Sequence, residues 1–270
     1  MIPLRREIEM KNFVDKALKG VCLDKMIPKG ISRIRMAVLN DIDKIIKDKS
    51  IHFTRFEMVA ILNVFYSLLD YQVRTMNKLE FQDFLYLTLG ITNMAVLSGF
   101  CRAARKISQR GSLKEDGILD GPTFVKMMSI LLRGTIDERA LLSFYILDED
   151  GDGILSPKSD LSMCLMGTFN PHISASAPNI DPEEPSRDTL RYLIKKMDIT
   201  TDSGIGIEGF IRECRASPWL VDGILPTLPS ETFNRAFQNL VSQAPRLQPI
   251  ENNIEEPKKV VRKKNPKPLH

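Results

Sequence analysis

The chain has 270 residues, enough for one large domain or two small lobes with their own cores, and its 43% hydrophobic and 27% charged residues exclude both a membrane protein and a wholly unfolded one. No apolar run approaches the roughly 18 residues of a spanning helix, and the start "MIPLRREIEMKNF" lacks a signal-peptide core and has Ile2 where myristoylation requires Gly. The net charge of +4 is uneven: residues 1–50 hold 12 Lys/Arg against 7 Asp/Glu, residues 51–250 hold 20 against 24, and residues 251–270 hold 6 against 3, so an acidic body carries two basic ends.

Cys22, Cys101, Cys164 and Cys214 are scattered without a CxxC pair, and no His clusters with them, which predicts reduced, buried thiols in a cytosolic protein. Residues 1–50 read as a basic N-terminal helical extension. From there to about 245 the period is helical. "FEMVAILNVFYSLL" (56–69), "TFVKMMSILL" (123–132) and "DTLRYLIKKM" (188–197) all repeat apolar residues at three- and four-residue spacing, and no alternating strand pattern stands out.

Polar or acidic loops recur between these helices in one frame, with an aliphatic residue at the eighth position and an aromatic just after the twelfth. "QVRTMNKLEFQDF" (72–84) sets Leu79 at eight and Phe84 at thirteen. "SLKEDGILDGPTF" (112–124) sets Leu119 at eight and Phe124 at thirteen. The loop from Asp148 has Leu155 at eight, and the loop from Asp198 has Ile205 at eight and Phe210 at thirteen. The expected fold is all-α: an EF-hand protein with four EF-hand units, two of them vestigial, paired into two lobes. The N-lobe covers 51–133 and the C-lobe 134–228, each closed by strand pairing of its two eighth-position residues.

The stretch "LDEDGDGILSPKSDL" (147–161) is the strongest chemical signal. A calcium loop supplies oxygens from positions one, three, five, seven, nine and twelve. Here these are Asp148, Asp150, Asp152, the Ile154 carbonyl and Ser156, but the twelfth residue is Ser159, where two anionic oxygens are needed. Asp160 lies one residue further, rotated about 100° around the exit helix. Either the loop stretches by a residue to recruit Asp160, or the site stays open to water. Both outcomes predict weak calcium binding, with magnesium as the competing occupant. Asp198, Thr200 and Asp202 form a poorer second site, since Ser203 replaces the sixth-position Gly and Gly209 holds position twelve. Without that carboxylate, ion capture is poorly linked to movement of the exit helix, so calcium-driven lobe opening is not expected.

Inside the C-lobe, residues 168–187 form a Pro-rich insertion that cannot be a continuous helix. "SETFNRAFQNLV" (230–241), within a 229–245 terminal element, reads as a helix capped at Ser230 with Phe233, Phe237 and Leu240 on one face, able to dock back onto a lobe. Residues 246–270 form a basic tail expected to be disordered. It has no aromatic interleaving and no nucleic-acid motif, so nucleic acid is not an expected partner. No nucleophile elbow, phosphate-binding glycine loop or paired His/carboxylate motif appears, which argues against an enzyme.

The segments "MVAILNVFYSLL", "FQDFLYLTLGI", "TFVKMMSILLRGTIDERALLSFYILDEDGDGILS", "LIKKMD" and "LPTLPS" together resemble the calaxin family, EF-hand proteins of motile cilia and flagella related to the neuronal calcium sensors. The resemblance runs from about residue 55 to 229. It implies a cytoplasmic protein of the cytoskeleton, on the doublet microtubules of the axoneme, that associates with the outer dynein arm and its docking complex and links calcium to dynein. Asp148, Asp150 and Asp152 match the family's metal ligands, and Asp198 and Asp202 match less completely. The implied partners are helical segments of docking-complex or dynein proteins, with acidic tubulin as a contact for the basic termini and no membrane anchor. The second reading is a cytosolic calcium sensor or regulatory subunit of a kinase or phosphatase.

Overall fold

The computed structural model describes residues 32–108, 117–166, 168–169, 181, 183–199 and 204–242. The first 31 residues, most of the Pro-rich insertion, the 200–203 part of the last loop and the basic tail lie outside the described residues. The fold is an all-α EF-hand fold, and five of its helices start where a side chain caps them. α1 spans Ser32–Ile45. α2 (Arg55–Leu68) starts with a reciprocal box of Thr54 and Glu57, and α3 (Lys78–Leu89) with one of Asn77 and Glu80. The Asn93 side chain caps α4 (Met94–Ile107), and Asp120 caps α5 (Gly121–Arg133), which has Pro122 in its first turn. Thr135 and Glu138 box the start of α6 (Ile136–Leu147). Each such cap is worth about 1 kcal/mol, so these boundaries are written locally.

Beyond α6 come β1 (Ile154–Leu155), a π-helical turn (Pro157–Leu161), the short α7 (Ser162–Leu165), α8 (Glu184–Lys196), β2 (Ile205–Gly206) and α9 (Ile207–Ala216). A second π-helical turn (Leu220–Ile224) precedes α10 (Glu231–Val241). The loops pair in twos. β1 and β2 are antiparallel with Leu155 opposite Ile205, the register expected of two eighth-position residues.

The earlier loop pair corrects the sequence-derived frame. Leu119 is bridged to Met76, not to Leu79: the Met76 amide donates to the Leu119 carbonyl at 2.8 Å and the Ile118 amide to the Met76 carbonyl at 2.9 Å. Leu79 is 71% exposed on α3 while Met76 is fully buried. The first loop therefore starts three residues earlier than the apolar pattern implied. In the corrected frame Glu80 holds position twelve, where it accepts the Asn77 amide at 3.0 Å and pairs with Arg74. The error arose because Leu79 and Met76 are both apolar, and periodicity cannot separate positions three residues apart on one helical face.

α1 is built into the core. Ile34, Val38, Ile42 and Ile45, spaced by four, four and three, are all buried, and the α1 side chain Asp41 accepts the Tyr66 hydroxyl of α2 at 2.7 Å. Around these helices Phe124 packs against Phe65 at 5.2 Å and Phe84 at 5.1 Å between ring centroids. In the other half Phe144 packs edge-on to Phe210 at 5.8 Å. The halves join where α4 crosses α6. A Cβ on Gly99 would stand 2.1 Å from the Ile146 carbonyl oxygen, so only Gly permits this approach, and Arg102 Nη2 donates to the same oxygen at 3.1 Å.

α10 lies across the first half. Phe237 and Val241 are buried, with the Phe237 ring 5.9 Å from that of Phe84. Phe233 covers Gly90, whose φ of 67° ends α3 in the left-handed region; a Cβ there would come within 2.4 Å of the ring. The buried face is thus Phe237 and Val241, whereas Leu240, expected to join it, is 70% exposed. Ser230 stands at the expected N-cap but its side chain makes no capping bond.

Cys101, Cys164 and Cys214 are free and buried; Cys22 lies outside the described residues. Burial, assisted by the neighbouring Asp160, pushes the Cys164 thiol up to about 12, and burial with Glu213 and Asp222 does the same for Cys214. Neither is reactive near neutral pH. Among the described residues no single helix is long and apolar enough to cross a membrane.

Candidate metal centre

The end of α6 delivers Asp148 as its C-cap, with a carboxylate only 1% exposed. From there the chain turns on its own side chains. The Gly151 amide donates to Asp148 Oδ1 at 2.8 Å, the Asp152 amide to Asp150 Oδ1 at 3.1 Å, and the Ile154 amide to Asp152 Oδ1 at 2.7 Å. Gly151 and Gly153, with φ of 79° and 84°, make the left-handed steps that bring alternate residues to the same side. As a result the carboxylates of Asp148, Asp150 and Asp152 each place an oxygen within 4.8 Å of the others. Ligands about 2.3–2.6 Å from one hard cation lie at most about 5 Å apart, so the three carboxylates fit a calcium-sized ion, and an all-oxygen donor set favours calcium or magnesium.

Ile154 then enters β1 opposite Gly206, and Ser156 stands at the N-cap of the exit turn, with no capping bond from its hydroxyl. The exit segment decides which of Ser159 and Asp160 turns inward. Its first turn is π-helical: the Leu161 amide donates to the Ser156 carbonyl, five residues back, at 3.2 Å. This wider turn absorbs one extra residue. Ser159 is left exposed and Asp160, 2% exposed, turns inward. Asp160 Oδ2 accepts the Ser156 amide at 2.7 Å and Oδ1 the Glu149 amide at 3.1 Å, so it clasps both ends of the loop. It performs the reciprocal half of a capping box one residue late, and it stands outside the group of carboxylates gathered by the loop.

Two positively charged side chains from α4 also meet this loop region. Arg102 reaches the Ile146 carbonyl, and Lys106 Nζ donates to Asp148 Oδ2 at 2.9 Å. Sequence reasoning missed Lys106 because 42 residues separate it from Asp148 and no local pattern joins them. Its only sequence signal is its place in the last turn of a helix, where a cation favours the carbonyl end.

In the second loop Asp198 has φ of 50°, and Thr200 and Asp202 lie outside the described residues. Gly204, at position seven with φ of 61°, packs against β1: a Cβ there would lie 2.5 Å from Ile154 Cγ2 and 2.7 Å from the Leu155 carbonyl. This loop positions the strand pair, and its twelfth residue, Gly209, supplies no side-chain oxygen.

No protein-family model matches the chain. It is 24% identical to calaxin of Bos taurus over 200 residues, covering 72% of this chain and 89% of that protein. With calaxin of Danio rerio the identity is 25% over 197 residues, 71% and 88% of the two chains. The chain is calaxin-like. A shorter likeness, 25% identity over 105 residues, links 39% of the calaxin-like chain to half of a guanylyl cyclase inhibitory protein of Lithobates pipiens. The calaxin matches therefore extend well beyond one EF-hand pair.

Proposed function

We propose that this calaxin-like chain is a non-enzymatic EF-hand adaptor of the ciliary or flagellar axoneme, associated with the outer dynein arm docking complex and binding calcium weakly. The observation that carries weak binding is the exit of the loop: Asp148, Asp150 and Asp152 converge, while the carboxylate next to the twelfth position, Asp160, is shorter than Glu, already accepts two backbone amides and stands outside that group. Ile154 and Ser156 would complete the better site; Asp198, Thr200 and Asp202 form the weaker one, and magnesium competes at both. When bound, the ion would offset most of the charge of the three carboxylates and stiffen the loop, while the π-helical turn sets the exit helix by protein contacts alone.

An adaptor role also agrees with α10 filling the groove of the first half. A partner helix must then find another surface, and Met94 and Met163, both exposed, line a cleft of about 250 Å³ beside Asp160. The basic termini supply a contact for acidic tubulin. Co-purification with axonemal doublets, and a calcium affinity weaker than micromolar in millimolar magnesium, are the expected results. A diffuse cytosolic protein that binds micromolar calcium would instead support a soluble sensor or regulatory subunit of a kinase or phosphatase, which the likeness to the guanylyl cyclase inhibitory protein favours.

A further inference from the structure

Asp148 is the innermost of the loop carboxylates, and its charge is already met by a cation of the same chain. Lys106 Nζ stands 2.9 Å from Oδ2, while Oδ1 accepts the Gly151 amide. The ammonium is steadied from another side by the Tyr145 ring, 5.0 Å from its centroid. The lysine side chain is 37% exposed and the Asp148 side chain is fully buried, so the ammonium reaches from the solvated side into the loop. Lys106 belongs to the last turn of α4, a helix of the first half, whereas Asp148 opens the loop of the second.

We infer that Lys106 is a tethered competitor of the divalent ion, and that ion capture by Asp148 releases the end of α4. The inference rests on the metal-site reading of the loop proposed above. A divalent ion held by the converging carboxylates of Asp148, Asp150 and Asp152 is brought up against the ammonium, and like charges around one carboxylate repel. The ammonium can leave easily because its stem already lies partly in water. The competition raises the calcium concentration needed for occupancy. It also gives occupancy a route to the first half that needs no twelfth-position Glu: the freed lysine no longer ties α4 to α6.

Calorimetric titration of calcium into full-length wild type, Lys106→Met and Lys106→Gln tests this, with thermal unfolding of the calcium-free proteins checking the fold. Both variants are expected to bind calcium about tenfold more tightly, the size of one lost charge-assisted hydrogen bond, and Asp148→Ala added to either is expected to remove the gain. If one variant does not fold, the other is read. Unchanged or weaker affinity in a folded variant, with wild type still binding, overturns the role of Lys106 and leaves the metal site standing. No heat of binding in any of the proteins overturns both. Amide exchange needs no variant: calcium should speed exchange at Ala104–Ile107 in wild type, and unchanged exchange at saturating calcium overturns the release of α4.

Discussion

Arg133 Nε donates to Gln238 Oε1 at 2.9 Å, tying the end of α5 to the C-terminal helix. The Leu132 carbonyl next to it accepts both Gln238 Nε2, at 3.2 Å, and Asn234 Nδ2, at 3.3 Å. α10 thus satisfies the Leu132 carbonyl, one of the groups left over at the end of α5, while Phe237 fills the apolar space beside Phe84. Phe237→Ala is therefore expected to cost about 3 kcal/mol in urea unfolding, with increased binding of an apolar dye as the groove opens. Leu240→Ala, on the same helix but exposed, should change stability by less than about 0.5 kcal/mol.

The same guanidinium holds Glu57 through two bonds, Nη2 to Oε1 at 2.6 Å and Nη1 to Oε2 at 2.9 Å. Burial by itself would raise the Glu57 pKa, but the Arg133 bonds and the Thr54 cap outweigh it and bring the carboxyl down from 4.5 to about 2. A depressed folded pKa contributes stability that is complete above 4.5 and is lost as pH falls from 4.5 toward 2. Glu57→Gln should lower stability by roughly 3 kcal/mol at neutral pH, and the gap from wild type should close across that acid window. Urea titrations at a series of pH values measure it.

Two residues around the start of α3 separate the corrected loop frame from the one the apolar pattern implies. Met76 is fully buried at the bridge to Leu119, and Leu79 faces solvent. Met76→Ala should cost about 2–4 kcal/mol, and Leu79→Ala less than about 0.5 kcal/mol. The reverse order in thermal or urea unfolding would restore the frame with Leu79 at position eight.

Asp160 and Ser159 make a similar pair in the metal loop. Asp160→Ala leaves the amides of Glu149 and Ser156 without their acceptor and should destabilise the metal-free protein by about 2–3 kcal/mol. Ser159→Ala removes an exposed hydroxyl and should be neutral within about 0.5 kcal/mol. Differential scanning calorimetry of the metal-free variants checks both, and calcium titration should show affinity falling in the first variant only.

Much of this protein is written in short-range chemistry. The caps at Thr54, Asn77, Asn93, Asp120 and Thr135 start helices because a side chain and an amide three residues apart meet in any context. The alternation of Asp148, Asp150 and Asp152 with Gly151 and Gly153 prescribes a turn that gathers three carboxylates, so the loop was legible residue by residue. The pairing of Leu155 with Ile205 followed from a shared position in two copies of one unit.

Packing settled what the pattern left open. A π-helical turn selected Asp160 over Ser159, because the buried loop offers two amides that only an inward carboxylate satisfies. Met76 took the bridge from Leu79 because the partner loop at Leu119, over 40 residues away, sets the register. Lys106 reached Asp148 because Gly99 lets α4 approach α6 to backbone contact. Sequence periodicity determines which faces are apolar; distances between faces far apart in the chain are set by helix packing, and those distances decide which charge meets which carboxylate.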